Sequence, residues 1–562
     1  MAALFGHSSC DYLEPQELSL IEEDDVYKNL TYIQQMWINT YSYLPGKYSA
    51  IYWSGSDESE AVDDQSEIHK YNLGNWNKYS NPDDKWSHYY TGIRQCCEIM
   101  ETLPDLSWDL YKDSDPLEYQ YRMALMKEYV TEARFLKAFY YFELVKRYGG
   151  VPLVNNRLYL DKESDLYFLS HVSRDTFKKC IDYIVSECDS VAPDLPLSYE
   201  SAWHGRATRG AALALKSRAL LYAASDLYNQ PGNTNEYIGY TDGDRAERWL
   251  AAAEAAGDVI NMSYSLHTSY QNLFIINAGA ESSEMIWERR ASNTNDIEKE
   301  NYPIGYELGR TGTCPSQNLV DAYEMADGTL FDWSKPDMAE TPYGKRDLRL
   351  TLTILTNNEL WCGRAIEAWE GGLDGKPRRH ASKTGYYLKK HLNNNFDLNI
   401  GNSSSRQWIL FRYAEILLNY AEAAAHCGGP DYKVAGGKYT AKEAIDLIRT
   451  RVVMPKTDAT FAKRGVSLDN ESFLALVYNE RRVELAFEGH RWWDARRWMI
   501  GDEVFGATIK GVKVEKLGAN KYIYTPMVVE KRTFDASKMY FYPVPQSEIA
   551  KSNGNMIQNP NW

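Results

Sequence analysis

The 562-residue chain contains no stretch near the roughly 18 consecutive apolar residues that a membrane-crossing helix requires. Positive charge is not in excess either: 62 Lys and Arg stand against 78 Asp and Glu, a formal net charge of -16. That balance argues against nucleic acid or an anionic bilayer surface as the main partner, because both demand basic patches. A phosphate-cradling loop is missing, since Gly436, Gly437 and Lys438 are followed by Tyr439 rather than Ser or Thr. No GxGxxG opens a helix after a strand, and neither a GxSxG elbow nor an HExxH occurs. Glu488 and His490 stand two apart, so the ExxH spacing of di-iron carboxylate proteins fails. Cysteines at 10, 96, 97, 180, 188, 314, 362 and 427 form no CxxC, and no His pair completes a zinc spacing. No metal or cofactor is therefore expected, although scattered Asp and Asn leave an irregular structural calcium site open.

What is present is an ordinary globular composition, 44% hydrophobic and 25% charged. The choice of aromatics is unusual: 43 Tyr and 16 Trp against 16 Phe. Tyr and Trp join a flat apolar face to a polar handle, which suits sugar contacts and interfaces as well as large cores. Apolar spacings of three and four predict helices over 119–148, 174–191, 206–228, 245–261, 410–427, 441–452 and 469–498. Gly149, Gly150 and Pro152 end the first of these. Small residues in "RGAALALKSRALLYAAS" let neighbouring helices approach closely, as in stacked helix hairpins of tetratricopeptide type. No constant 34-residue period survives, so the repeat is degenerate.

Between about 265 and 408 the character changes to Gly, Asn and Pro with strand-like pieces such as "EMIWERR" and "LRLTLTIL". The expected fold is mainly α, a tetratricopeptide-like helix-hairpin scaffold carrying a large irregular loop-rich insertion. Its expected parts are a signal remnant at 1–9, a helical scaffold at 10–265 with a binding loop at 52–90, the insertion at 266–409, and a helical region at 410–562. The first residues, "MAALFGHSSC", lack a basic n-region and a full apolar core. Ser8 and Ser9 nevertheless precede Cys10, and a polar stretch follows, as at a lipoprotein cleavage site whose front is missing.

The most charged helical stretch is "NERRVELAFEGHRWWDARRW", residues 479–498. Glu480 has Leu476, Val477 and Val483 as helical neighbours, which places a carboxylate on an apolar stripe. Burying one unpaired carboxylate costs several kcal/mol or keeps it protonated. Glu480, Glu484 and Glu488 could mimic the paired carboxylates of a glycosidase. Arg481, Arg482, Arg491, Arg496 and Arg497 on the same stretch would instead hold them ionised and occupied, which makes poor general acids. The stretch is read as a buried structural network.

Taken together, these segments resemble the SusD/RagB family of cell-surface nutrient-binding lipoproteins. The similarity rests on "EARFLKAFYYFELVKRYGGVPLV", "RATRGAALALKSRALLYAAS", "PSQNLVDAYEMADG", "RYAEILLNYAEA", "NERRVELAFEGHRWWDARRW" and "FYPVPQSEIAKSNGNMIQNP", in family order. "CDYLEP" resembles the mature start, which makes Cys10 the lipidated residue; His7 departs from the usual leucine. The resemblance implies a lipid-anchored, surface-exposed protein of the outer membrane with no catalysis. It also implies capture of a glycan and its delivery to a SusC-like TonB-dependent transporter. Some relatives serve peptide uptake, so a peptide cargo is the alternative.

The family does not mark its binding residues by motif, so these are sought by chemistry. A ring face can stack on a sugar, and nearby Asn, Asp, Gln or Arg can exchange hydrogen bonds with its hydroxyls. "KYNLGNWNKYSN" offers Tyr71, Asn72, Asn75, Trp76 and Asn77. "SNTNDIEKENYPIGYELGR" offers Asn301, Tyr302, Tyr306 and Arg310, and "NNELWCGRAIEAWEGG" offers Asn358, Trp361, Arg364 and Trp369. The expected ligand set is Asn72, Asn75, Trp76, Tyr302, Tyr306, Trp361 and Arg364, with Trp76 and Trp361 foremost. Trp86, Trp492 and Trp493 sit in helical apolar contexts and read as core.

Overall fold

The computed structural model describes residues 26–46, 50–275, 277 and 282–562. Cys10 and the expected signal remnant lie outside the described residues. The periodic segments are helices: Pro116–Tyr148, Phe177–Val191, Arg209–Ala224, Arg245–Ile260, Tyr413–Gly428, Ala441–Arg451 and Asn470–Glu484. Local chemistry sets their ends. Asp115 accepts a hydrogen bond from the Glu118 amide and Pro116 opens the first turn. At the other end Gly149 turns the chain at a φ of 78°, where a side chain would collide with the Tyr237 carbonyl. Thr440 and Glu443 form a reciprocal capping box.

Two expectations are corrected. The helix begun at Asn470 stops at Glu484, because Phe487 and Gly489 take φ values of 59° and 83°, and His490–Arg497 is a separate helix. "LRLTLTIL" reads as a strand by its β-branched alternation, but Leu348–Thr353 is a helix. Asp347 caps it through the Arg349 amide and also binds the Arg349 guanidinium, and this local cap outweighs the pattern.

The helix Trp86–Thr102 packs on Pro116–Tyr148. Phe177–Val191, Arg209–Ala224, Arg245–Ile260, Tyr413–Gly428 and Ala441–Arg451 then follow, each against its predecessor. Buried Ala211, Ala212, Ala214, Ala219, Ala252, Ala253 and Ala421 lie in these interfaces. Their small side chains permit close approach, and enlarging one would strain the stack by about 1–3 kcal/mol.

An antiparallel ribbon of Met285–Thr294 with Ser404–Arg412 forms the neck of the loop-rich part. Beyond it lies a second core, built from Tyr302, Leu319, Tyr323, Leu350, Trp361, Tyr386, Tyr387 and Leu392. The hairpin Thr508–Gly518 with Lys521–Lys531 adds Val512 and Val514 to that core, so part of the C-terminal region is β-structure outside the helical stack. Asn470–Glu484 and the turn after it join the two cores. Leu476, Val477 and Leu485 face the scaffold, while Val483, Ala486 and Phe487 face the second core.

Candidate functional site

The acidic stretch lies at this seam, and Glu480, Glu484 and Glu488 are all engaged. Glu480 pairs with Arg349 at 2.6 Å and Arg449 at 2.9 Å. Glu484 meets Arg349, Arg412 and Arg451 at 3.0, 2.7 and 2.5 Å. Glu488 binds Arg412 at 2.6 Å and Lys390 at 2.7 Å. Burial alone would raise the Glu484 pKa, but Arg451, Arg412 and Arg349 together hold it well below the usual carboxylate range. For Glu488, Arg412 and Lys390 outweigh burial in the same way. Glu484 and Glu488 stay ionised and bound, and Glu480 is occupied by two guanidinium groups, so none is poised to give a proton to a leaving group.

The partners correct the sequence expectation. They come from four other segments, whereas arginines of the stretch itself serve different acids. Arg481 and Arg497 bind Asp494, Arg497 also binds Glu422, and Arg482 and Arg491 bind Asp57. Residues four apart on one helix place like side chains side by side; opposite charges reach a buried acid more easily from across an interface.

The expected ligand residues divide into two groups. Tyr302, Tyr306, Trp361 and Arg364 do come together. The Tyr306 hydroxyl donates to the Trp361 carbonyl at 2.7 Å, Arg364 lies 3.8 Å over the Tyr306 ring, and the Tyr302 and Trp361 rings meet edge-on at 5.8 Å. Yet Trp361 is 1% exposed and Tyr302 2%, so neither offers a face to a ligand. Arg364 is clamped by both oxygens of Asp374, at 2.7 and 2.8 Å. The Trp369 and Tyr522 rings meet at a tilt with centroids 5.6 Å apart, and Lys516 Nζ lies 4.0 Å over the Trp369 ring. This cluster packs the second core instead of displaying rings.

Asn72, Asn75 and Trp76 lie apart from that cluster. Trp76 is 3% exposed, held between Tyr71, Tyr542 and Trp562 at 4.8, 5.4 and 4.6 Å. Asn72 is buried and donates to the Ser54 carbonyl at 3.2 Å, whereas Asn75 is exposed. Packing partners more than 450 residues away in the chain cover Trp76, and nothing in its own stretch announces them.

The same stretch nevertheless carries an open ring. Asn77 and Ser80 exchange backbone hydrogen bonds at 3.0 and 3.1 Å, closing a tight turn whose tip is Lys78 and Tyr79. The Asn77 side chain accepts from the Tyr79 amide at 2.9 Å, which fixes the turn. Tyr79 is left 77% exposed. It borders a pocket of about 360 Å³ that Lys70, Asn77, Asn81, Asp84, Pro545 and Gln546 help to line. The Asn81 side-chain carbonyl accepts from the Tyr71 hydroxyl and from the Asp83 amide at 3.1 Å. Its Nδ2 is left without a hydrogen-bond partner. An exposed phenol face beside amides, a hydroxyl and charged groups can stack on one ring and bond its rim. Sequence reasoning missed Tyr79. The available signal was its flanking by Asn77, Lys78, Ser80 and Asn81, with no apolar neighbour; Gln546, from the far end of the chain, gave none. A wider groove of about 750 Å³ runs past Tyr199, His204, Arg206 and Tyr264, but Tyr199 and Arg206 there are both bound to Glu132.

Comparison with known proteins places this architecture. The SusD family model matches residues 283–562, and a second model, described as starch-binding associating with outer membrane, matches residues 11–221. SusD-like protein P2 of Formosa agariphila is 24% identical over 442 residues, covering 77% of this chain and 74% of the relative. A SusD-like protein from Bacteroides fragilis superposes with a TM-score of 0.77 at 25% identity, over 96% of this chain and 99% of the other. A laminarin-binding SusD-like protein shares the fold with a TM-score of 0.64 at 20% identity, over 95% and 100% of the two chains. Among the described residues no helix is long and apolar enough to cross a membrane. With both halves matched in order and the stacked helices and loop-rich body in place, this chain belongs to the SusD/RagB family.

Proposed function

We propose that the protein is a non-catalytic glycan-binding lipoprotein, anchored through Cys10 at the cell surface. It captures oligosaccharides and delivers them to a SusC-like TonB-dependent transporter. The observation that carries this reading is the match of residues 11–221 to a family described as starch-binding and outer-membrane associated, continued by the SusD match at 283–562. The laminarin-binding relative supports a glucan-type cargo. The pocket beside Tyr79 is the binding surface of this reading, because it combines an open ring face with amide and charged groups. The engaged state of Glu480, Glu484 and Glu488 supports binding without turnover.

Affinity electrophoresis of the whole chain in gels containing laminarin, starch or xylan tests this. Retardation by at least one polysaccharide, with no release of reducing ends, is expected. Binding of peptides with no retardation by any polysaccharide would replace the glycan by a peptide cargo. Radiolabelled palmitate incorporation, lost in Cys10→Ala, tests the anchor.

A further inference from the structure

Glu60, His69 and Glu530 converge from three parts of the chain: the strand Ser59–Ala61, the helix His69–Asn72 and the strand Lys521–Lys531. His69 Nε2 lies 3.1 Å from the Asp63 carbonyl oxygen. A carbonyl can only accept, so the ring proton belongs on Nε2, and Nδ1 is the atom turned to the carboxylates. Nδ1 stands 3.5 Å from Glu530 Oε1 and 3.9 Å from Glu60 Oε1. Arg532 takes the other oxygen of each acid, at 2.7 Å from Glu60 Oε2 and 2.9 Å from Glu530 Oε2. Asn72 Nδ2 adds a contact of 3.3 Å to Glu530 Oε2.

One guanidinium therefore turns both Oε1 atoms toward the imidazole. Glu60 is 1% exposed and its Oε1 has no hydrogen-bond partner. Lys383 Nζ stands 3.8 Å from that oxygen but lies closer to exposed Asp64, with which it pairs at 2.5 Å. Lone pairs of one nitrogen and two oxygens facing a common point repel unless a cation sits among them.

We propose that Glu60, His69 and Glu530 form a binding site for a divalent transition-metal ion, zinc being the best match. Zinc bonds of about 2.0–2.2 Å to nitrogen and oxygen place tetrahedral donors about 3.4 Å apart. The two observed separations close to that value with a shift of a few tenths of an ångström. A ligating histidine whose second nitrogen donates to a backbone carbonyl is the usual outer arrangement of such sites. Imidazole in the donor set selects against calcium and magnesium. The His69 and Glu530 side chains are 15% and 18% exposed, which leaves water the fourth position and the ion a way in.

A proton is the rival occupant. The hydrogen bond to Glu530, opposed by partial burial, raises the His69 pKa above its ordinary value, and burial raises that of Glu60. Acid therefore weakens metal binding. Because Lys70 follows His69 directly and lines the Tyr79 pocket, the ion would fasten one rim of that pocket to the hairpin.

The test is calorimetric titration of the tag-free whole chain with zinc at pH 7.5 after chelator treatment. One equivalent with micromolar affinity is expected, weakened about tenfold or more in His69→Gln and in Glu530→Gln. The metal-free melting temperature reports whether those variants are folded. Lys383→Met, which removes a competing cation beside Glu60 Oε1 and leaves all three ligand residues in place, should bind more tightly. Cobalt substitution should show visible bands without a thiolate charge-transfer band. Absence of saturable zinc uptake, unaltered binding in both ligand variants, or a thiolate band would overturn the site.

Discussion

The two cores of this protein are held by different means. In the helical scaffold, small alanine-lined interfaces bring backbones together, and side-chain caps at Asp115, Thr176, Thr208, Asp244 and Thr440 open most of the helices. In the loop-rich body, large aromatics fill the space, and tyrosine hydroxyls reach back to fasten irregular backbone. Tyr306 binds the Trp361 carbonyl, Tyr302 the Asn393 carbonyl and Tyr387 the Asp374 carbonyl. A helix satisfies its own peptide groups; a loop cannot, so side chains take over that task. Tyrosine richness in such a body is thus mainly a structural demand.

Four changes break or sharpen this contrast. The largest effect is expected at the seam: Glu484→Ala leaves Arg349, Arg412 and Arg451 facing one another, buried, at a cost of about 3–5 kcal/mol. Thermal unfolding should show a clear drop; a melting temperature near that of the parent would mean the network is ornamental. Next, Trp76→Ala should lose about 3–5 kcal/mol of packing, while Tyr79→Ala should change stability by less than about 0.5 kcal/mol. Glycan retardation should respond in Tyr79→Ala with the fold intact. If Tyr79→Ala binds like the parent, the pocket assignment fails.

Acid comes third. Burial raises the carboxyl of Asp57, but Arg482 and Arg491 bring it down to about 2; Lys146 and Arg147 do the same for Glu143, also to about 2. Both folded-state values lie below the unfolded ones, so their stabilisation is complete above about pH 5 and is lost as pH falls toward 2. Each contributes about 2–3 kcal/mol over that window. Circular dichroism melts from pH 5 to pH 2 should show the loss, and Asp57→Asn should flatten it. The smallest effect belongs to Tyr306→Phe, which removes one hydroxyl tether from the second core at about 1 kcal/mol. Hydrogen exchange at residues 357–366 should rise in that variant while the scaffold helices are unchanged.

The scaffold was legible because a helix writes its contacts into its own spacing: Pro116–Tyr148 and Arg245–Ile260 fall within a few residues of the periodic pattern. Leu348–Thr353 was not, since a single Asp347 cap decided it against a strand-like run. The candidate pocket was legible only as a neighbourhood. The stretch 70–81 does border a pocket, yet its exposed ring is Tyr79, because Tyr542 and Trp562 cover Trp76 from the other end of the chain. Arg349 and Arg451 could not be assigned to Glu484 for the same reason. Pairings across 33 or 135 residues leave no local trace.

The short segment from Leu476 to Phe487 contributes apolar side chains to both interiors. Neither interior is complete until that segment is in place, so one body cannot melt and leave the other whole. Calorimetry should therefore record a single cooperative endotherm, and partial proteolysis should yield no stable fragment ending between the two.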